Sequence, residues 1–305
     1  MTADTLERRV RAILVDAGCS GWVHAARIGG SRAEFDYGAD TPVVLASVYK
    51  LPLMISLYRL ADRNEIDLTA TVRVDPARCA EGPTGVSALA DPVVMSWRDL
   101  AHSMMTVSDN AAADVILARV GIDRVLDDLG ELGLRQTRIV GGVAELHARL
   151  RAETGTTTVE EAFAALSDPE RGTSPTAYDA AYNSAGTARD CTALLAAVWT
   201  DRAASPAACA LIRDTMRRQV SRSRIASGFP TRTTVVAGKT GTLAAIRNEI
   251  AVVEFPGEHP VSVAVFTMSA RSTPSLPEVD RAIGTVARLA VTDLRHPSDP
   301  ASRMR

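Results

Sequence analysis

No two cysteines in the 305-residue sequence are spaced C-x-x-C; Cys19, Cys79, Cys191 and Cys209 lie far apart. Without such a pair they read as reduced thiols with no metal role. The five histidines are equally scattered, with neither H-x-x-x-H nor H-E-x-x-H spacing, so the sequence points to no metal and no cofactor. A dominant charge is missing too. Thirty-four basic residues stand against 36 acidic ones, for a net charge of −2, and no long block carries one sign. That balance weighs against nucleic acid and against a membrane surface as partners. No apolar run approaches the roughly 18 residues that span a bilayer. The charged start, Met1 to Arg11, leads into no apolar signal segment, so a cytoplasmic location is the expectation. Internal repeats and low-complexity linkers are absent as well.

What remains is an ordinary globular composition, 46% hydrophobic and 23% charged, in a chain long enough for a large core. Leu6, Val10, Ile13 and Leu14 stripe a helix over 4–17, and Gly18 stops it. A hairpin follows, 21–28 and 31–37 around Gly29-Gly30. Helical patterns occupy 96–107, 111–120, 122–132, 188–200 and 206–219. The stretch 141–186 is the least regular; Thr158 to Glu161 has the form of a capping box, and 167–186 reads as a long loop. Segments 234–237, 248–255 and 260–268 are rich in β-branched residues and predict consecutive antiparallel strands, closed by a helix over 277–294. The expected fold is α/β (α+β): an antiparallel sheet flanked by terminal helices, built from 1–45 and 222–305, with an all-helical domain, 46–221, inserted between.

One helix stands out. The run Leu51 to Leu60 is apolar in almost every direction, yet Lys50 sits at its head. A buried ammonium without a partner is unfavourable, and the usual relief is a lowered pKa. Residues three apart share a helical face, which sets Lys50 beside Ser47, a base beside a nucleophile. Pro52 lacks the N–H that would bond the Val48 carbonyl, placing Ser47 at the open mouth of the helix. Alone, S-x-x-K is expected about once by chance in such a chain.

Two further polar motifs follow, Ser108-Asp109-Asn110 between two helices and Lys239-Thr240-Gly241 after a strand. Each has a bland reading, a helix cap and a turn respectively. Gly238-Lys239-Thr240 is not a phosphate loop, because position 233 is Thr where that motif needs Gly and another strand follows. Taken together in this order, the three motifs resemble those of the penicillin-recognising serine hydrolases, the class A β-lactamases and related D,D-peptidases, over about 40–295. The predicted insertion of helices into an α/β domain agrees with that family's fold.

The resemblance implies a small-molecule substrate, a β-lactam or an acyl-D-amino-acid peptide, and a monomeric enzyme. Ser47 would be the acylated nucleophile, Lys50 its proton acceptor and Ser108 the shuttle to the leaving nitrogen. Asn110 would hold the substrate amide and Lys50. Lys239 and Thr240 would bind the substrate carboxylate, helped by Arg247, and Gly241 would admit the substrate close to the strand. The backbone N–H groups of Ser47 and Thr242 would form the oxyanion hole. Deacylation in the family uses a loop glutamate four residues before an asparagine; the counterpart here is Asp179 with Asn183, one methylene shorter, in a loop some thirty residues further along the chain. The family's cysteine pair is not matched in position. The reading is a serine hydrolase of the β-lactamase type acting through Ser47. Its alternatives are a peptidase- or esterase-like relative with weak turnover of β-lactams, and a slowly deacylating β-lactam-binding protein.

Overall fold

The computed structural model describes residues 3–29, 33–166, 176–273 and 275–295. The expected turn at Gly30 to Arg32 and the 167–175 part of the expected loop lie outside these residues. In chain order the elements are α1 (Ala3–Asp16), β1 (Cys19–Arg27), β2 (Glu34–Tyr37), β3 (Val43–Val44) and α2 (Lys50–Asp62). Next come β4 (Thr71–Val74), β5 (Val93–Ser96), α3 (Trp97–Thr106), α4 (Asn110–Val120), α5 (Ile122–Glu131), α6 (Val143–Thr154) and α7 (Val159–Leu166). The chain continues through β6 (Ala185–Gly186), α8 (Ala188–Trp199), α9 (Pro206–Arg217), β7 (Val235–Leu243), β8 (Ile246–Glu254), β9 (Val261–Ser269) and α10 (Pro277–Arg295). Among the described residues no helix is long and apolar enough to cross a membrane.

The main sheet is antiparallel, in the order β2-β1-β9-β8-β7, so the first and last parts of the chain meet in it. Both faces are buried, and the strand period of two sorts the side chains between them. Val261, Val263 and Val265 pack with Leu6, Val10 and Leu14 of α1 and with Val279, Ile283 and Val286 of α10. Ala264 and Phe266, of opposite parity, join Leu51, Met54 and Ile55 of α2 and the other helices on the far face. Apolar residues all round α2 therefore mean what they implied: it is the central helix of the larger core, with Leu51, Leu53 and Leu57 fully buried.

Three parts differ from the sequence expectation, the first being the stretch 46–221, expected to be all-helical, which also carries the β4–β5 pair and β6, the latter pairing with β3. The strand expected to end at 237 runs on to Leu243, so Lys239-Thr240-Gly241 lies within β7 and not in a turn after it. Pairing with β8 through Leu243↔Ile246, closed by a two-residue turn at Ala244-Ala245, overrides the weak strand preference of Lys and Gly. The irregular stretch after 141 holds α6 and α7. Asp114 on α4 accepts from the first N–H groups of α6, Val143 at 2.7 Å and Ala144 at 2.9 Å, while Glu145 reaches back to Gly142 N. This cap comes from another helix, which local pattern cannot reveal. The capping box at Thr158 forms as expected, with Thr158 Oγ1 accepting from Glu161 N and Glu161 Oε2 from Thr158 N, and it starts α7.

The short turn Ile225–Gly228 is pressed onto α10 so closely that a Cβ added at Gly228 would lie 2.2 Å from the Gly284 carbonyl oxygen. Backbone cannot swing aside as a side chain can. Gly228→Ala is therefore expected to lose about 1–3 kcal/mol, read as a lower urea midpoint at unchanged slope; an unaltered midpoint would show that this contact relaxes freely.

Candidate active site

Ser47 stands on a tight 3-10 turn, Ala46–Tyr49, which leads directly into α2. In such a turn residues three apart eclipse, keeping Ser47 and Lys50 on one side. Ala46, immediately before the serine, has φ +47°, and Ser108 has φ +61°. Non-glycine residues seldom adopt this region, at a cost of roughly 1–3 kcal/mol each, and do so chiefly where the fold fixes them for function. Of the five such residues described, Ala46, Ser108 and Ala244 line the cleft, and Asn64 and Asp201 lie elsewhere.

The turn is pinned from below. Asn248 of β8 donates through Nδ2 to the carbonyls of Val44 (2.9 Å) and Leu45 (3.3 Å). From the side, β7 comes so near that a Cβ at Gly241 would sit 2.5 Å from the Leu45 carbonyl oxygen and 3.3 Å from Val48 N. Gly241 thus serves the approach of the strand to the nucleophile turn. It brings Thr242, the next residue, alongside Ser47 on the wall of one cleft.

Lys50 is fully buried, as its neighbours in the sequence required. Its Nζ donates to the Ser108 carbonyl at 2.7 Å and to Asn110 Oδ1 at 2.9 Å, and contacts Ser108 Oγ at 3.4 Å. Lys239, also fully buried, reaches the same hydroxyl from β7 at 3.0 Å and donates to its neighbour's carbonyl, Thr240 O, at 2.8 Å. Burial lowers Lys50 to about 7, with Asp109 and Asp114 opposing the fall. Lys239 is lowered well below the ordinary lysine value by burial, and further by the positive charges of Lys50 and Arg224. Two ammonium groups sharing one hydroxyl in a dry site disfavour each other's charge. A neutral Lys50 uses two N–H bonds for its two short contacts and keeps a lone pair that can take a proton. The stability sign follows: because the folded amine holds its proton less tightly, Lys50 costs the fold stability as pH falls from about 10.5 towards 7, by on the order of 5 kcal/mol in full.

Asp109, the middle residue of the second motif, is completely buried and holds the Ser108 bend in place. Its carboxylate accepts from Val86 N (2.7 Å), Ser103 Oγ (2.7 Å), Ser87 Oγ (2.9 Å) and Ala112 N (3.2 Å), capping α4 and tying it to the loop before β5. The bland reading, a cap, and the functional one are both true of this motif. Asn110 bridges Lys50 and the Glu81 carbonyl, to which its Nδ2 donates at 2.9 Å.

The cleft has a volume of about 1050 Å³, and Ser47, Ser108, Asn110, Thr240, Thr242, Arg247 and Asn183 are among the residues that line it. The structure gathers the three motifs as the sequence implied, but three expected groups are employed differently. Asp179 does not line the cleft; it is exposed and caps a short turn by accepting from Ala181 N at 2.7 Å. Asn183 borders the cleft, yet its amide donates to the carbonyls of Thr176 and Asp179 and accepts from Arg149. The Arg247 guanidinium, nearly buried, donates to the carbonyls of Ala244, Ile246 and Thr273.

The guanidinium that meets the Thr242 side chain belongs instead to Arg224. It donates to Thr242 Oγ1 (2.8 Å), Gly241 O (2.9 Å) and Asn248 O (2.7 Å), and pairs with Asp280 of α10 at 2.6 Å. Gln219 joins in by accepting from Thr240 N and donating to the buried Glu249, both at 2.7 Å. Neither residue belongs to a motif or a periodic face, so the sequence carries no signal for them. Four titratable groups of the 141–166 region also border the cleft, Glu145, His147, Arg149 and Glu160. Both glutamates are exposed, and Glu145 Oε2 accepts from Gly142 N at 3.0 Å. Burial lowers His147 to about 4, so its imidazole is neutral at pH 7.

A nucleophile-bearing turn, a buried amine and a shared hydroxyl on this mixed α/β scaffold define a serine acyl-transfer centre. Residues 5–294 match the β-lactamase enzyme family, and the chain belongs to it. It is a serine β-lactamase-like hydrolase by family and fold. Along 94% of its length it is 29% identical to the β-lactamase regulatory protein BlaB of Streptomyces cacaoi, covering 97% of that protein. A β-lactamase from Sphaerobacter thermophilus superposes with a TM-score of 0.76 over 98% of this chain and all of that one, at 24% identity. A point mutant of PBP-A, in an acyl-enzyme complex with penicillin G, gives 0.73 over 95% of this chain and 97% of its own, at 18% identity.

Asp109→Ala removes the acceptor from several buried donors at once. It is expected to destabilise the protein by about 3 kcal/mol, measured by chemical denaturation; a loss below about 1 kcal/mol would mean that the Ser108 bend holds without it.

Proposed function

We propose that Ser47 accepts the acyl group of a β-lactam or acyl-D-amino-acid amide and releases it by hydrolysis, with release the slower half. The observation that carries this reading is the pair of buried amines, Lys50 and Lys239, meeting at Ser108 Oγ beside the Ser47 turn. Neutral Lys50 takes the Ser47 proton as Oγ attacks the carbonyl carbon. Ser108, bonded between the two amines, passes a proton to the leaving nitrogen as the C–N bond breaks. Backbone N–H groups of Ser47 and Thr242 would receive the oxyanion. The Thr240 and Thr242 hydroxyls, with Lys239 behind them, would hold a carboxylate on the amine side of the substrate. Arg247 is a weak candidate for that role, since its donors face backbone carbonyls.

Slow release is supported by the position of Asp179, outside the cleft, where it cannot activate water against an ester on Ser47. Glu145 does border the cleft, but one of its oxygens is spent on the start of its own helix. The relation to a protein named for β-lactamase regulation, not for hydrolysis, agrees with slow turnover.

Intact-mass spectrometry after a pulse of benzylpenicillin separates the two halves. The expected result is a one-to-one adduct that is absent in Ser47→Ala and decays over many minutes. Labelling of that variant would sink the assignment. Return to free mass within seconds would refute slow release, and its loss in Glu145→Gln would then make Glu145 the group that activates water. Acylation should also rise with pH through about 7 as Lys50 loses its proton. Lys50→Ala should slow it by roughly 10²–10⁴-fold. A flat profile between pH 5.5 and 8.5 would exclude Lys50 as the acceptor.

A further inference from the structure

Strand β7 is an edge of the sheet, so alternate residues turn their backbone groups away from β8. The even-numbered ones face outward: Val236 O accepts from Arg222 at 3.2 Å, and Thr240 O from Lys239 Nζ at 2.8 Å. Thr240 N–H, on the same side, donates to Gln219 Oε1 at 2.7 Å. Gln219 in turn donates through Nε2 to Glu249 Oε1 at 2.7 Å, and Glu249 Oε2 accepts from Ile225 N at 2.5 Å. Both side chains are buried. A Cβ at Gly238 would lie 2.9 Å from Glu249 Oε1, so the glycine before Lys239 leaves the room that this carboxylate occupies. At the far end, Ile225 opens the turn pressed against α10, which ties Thr240 to closely packed backbone.

This chain of bonds has one possible polarity. Both of its ends are backbone N–H groups, which donate and never accept. The two side chains between them must each accept from one end and share a single hydrogen with each other, which requires one amide and one carboxylate. Two amides would set NH2 against NH2, and two carboxylates would set oxygen against oxygen. Burial raises the Glu249 carboxyl, and the Ile225 and Gln219 donors, with the charges of Arg224 and Lys239, oppose the rise. We propose that Gln219 and Glu249 are positioning residues for acyl transfer. Their relay holds the Thr240 hydroxyl where it meets the substrate carboxylate, and keeps Thr242 N–H, two residues on, in register with Ser47. This rests on the reading of Ser47 as nucleophile.

Benzylpenicillin and its methyl ester differ in the carboxylate that Thr240 would hold, and their rates of adduct formation can be followed by intact mass. In the native protein the acid is expected to react about tenfold faster or more. Glu249→Gln sets two amides face to face; it should slow the acid by roughly 10–10²-fold and the ester much less, collapsing that preference. Gln219→Glu, which opposes two carboxylates, should do the same. Combining Gln219→Glu with Glu249→Gln restores one amide and one carboxylate in the reverse order. It forfeits only the 3.3 Å contact of Gln219 Nε2 with Ser221 O. The acid rate should then return to within about fivefold of native. Should Glu249→Gln not fold, Gln219→Ala, beside the exposed Val220 and Ser221, opens the relay from its solvent side and should also lower the preference. A merely structural role would lower both rates alike and leave their ratio unchanged. That result, equal rates for acid and ester in the native protein, or a double variant no faster than the single ones, would overturn the relay while leaving Ser47 as nucleophile. Absence of any adduct with either compound in the native protein would overturn both readings.

Discussion

The constraint on which the site depends is the burial of two lysine amines around a single hydroxyl. Neither Lys50 nor Lys239 reaches solvent, and both lie within hydrogen-bonding distance of Ser108 Oγ. Water would solvate two ammonium groups with ease; this pocket cannot, and Coulomb repulsion adds to the desolvation cost. Burial accordingly lowers both amines, Lys50 to about 7, and the charge of Lys50 lowers Lys239 further.

Holding such a pair requires rigidity from several directions, and the fold provides it through backbone. Gly241 lets β7 touch the Leu45–Val48 turn, Asn248 ties that turn to β8, and Asp109 locks Ser108 at a positive φ. Arg224 and Gln219 then fasten β7 from its other side. The positive φ at Ala46 and Ser108 is sustained because each strained residue is over-determined by such contacts. Elements distant in sequence converge within a few ångströms, and none of the three motifs could act without the others.

This division explains what was legible in the sequence. Helix α2 was readable because all-round apolarity has one common cause, burial, and Lys50 was conspicuous because it violated the pattern. Ser108 and Lys239 were readable only through their order along the chain. The capping of α6 by Asp114 and the bracing of Thr242 by Arg224 were not, since each is a contact between segments whose local patterns are unremarkable. The contacts of Asp179 and Arg247 were not legible for the related reason that spacing locates a residue along the chain but does not say what its side chain touches. Asp179 meets a backbone N–H two residues on, Ala181, and Arg247 meets the carbonyls of Ala244, Ile246 and the distant Thr273.

The same distinction bears on the fate of an acyl group. Attack on a carbonyl draws on α2, the α3–α4 bend and β7, which are fixed by core packing. Under the proposed reading release needs an activated water, and the polar groups described along 140–166 and 176–183 are largely turned to structural ends. Asn183 is engaged by Arg149 and two carbonyls, Asp114 caps α6, Glu145 braces the same helix start, and Asp179 caps its own turn. The 140–166 stretch turns hydrocarbon to the cleft at Val143, Leu146, Val159 and Phe163, and titratable groups at Glu145, His147, Arg149 and Glu160.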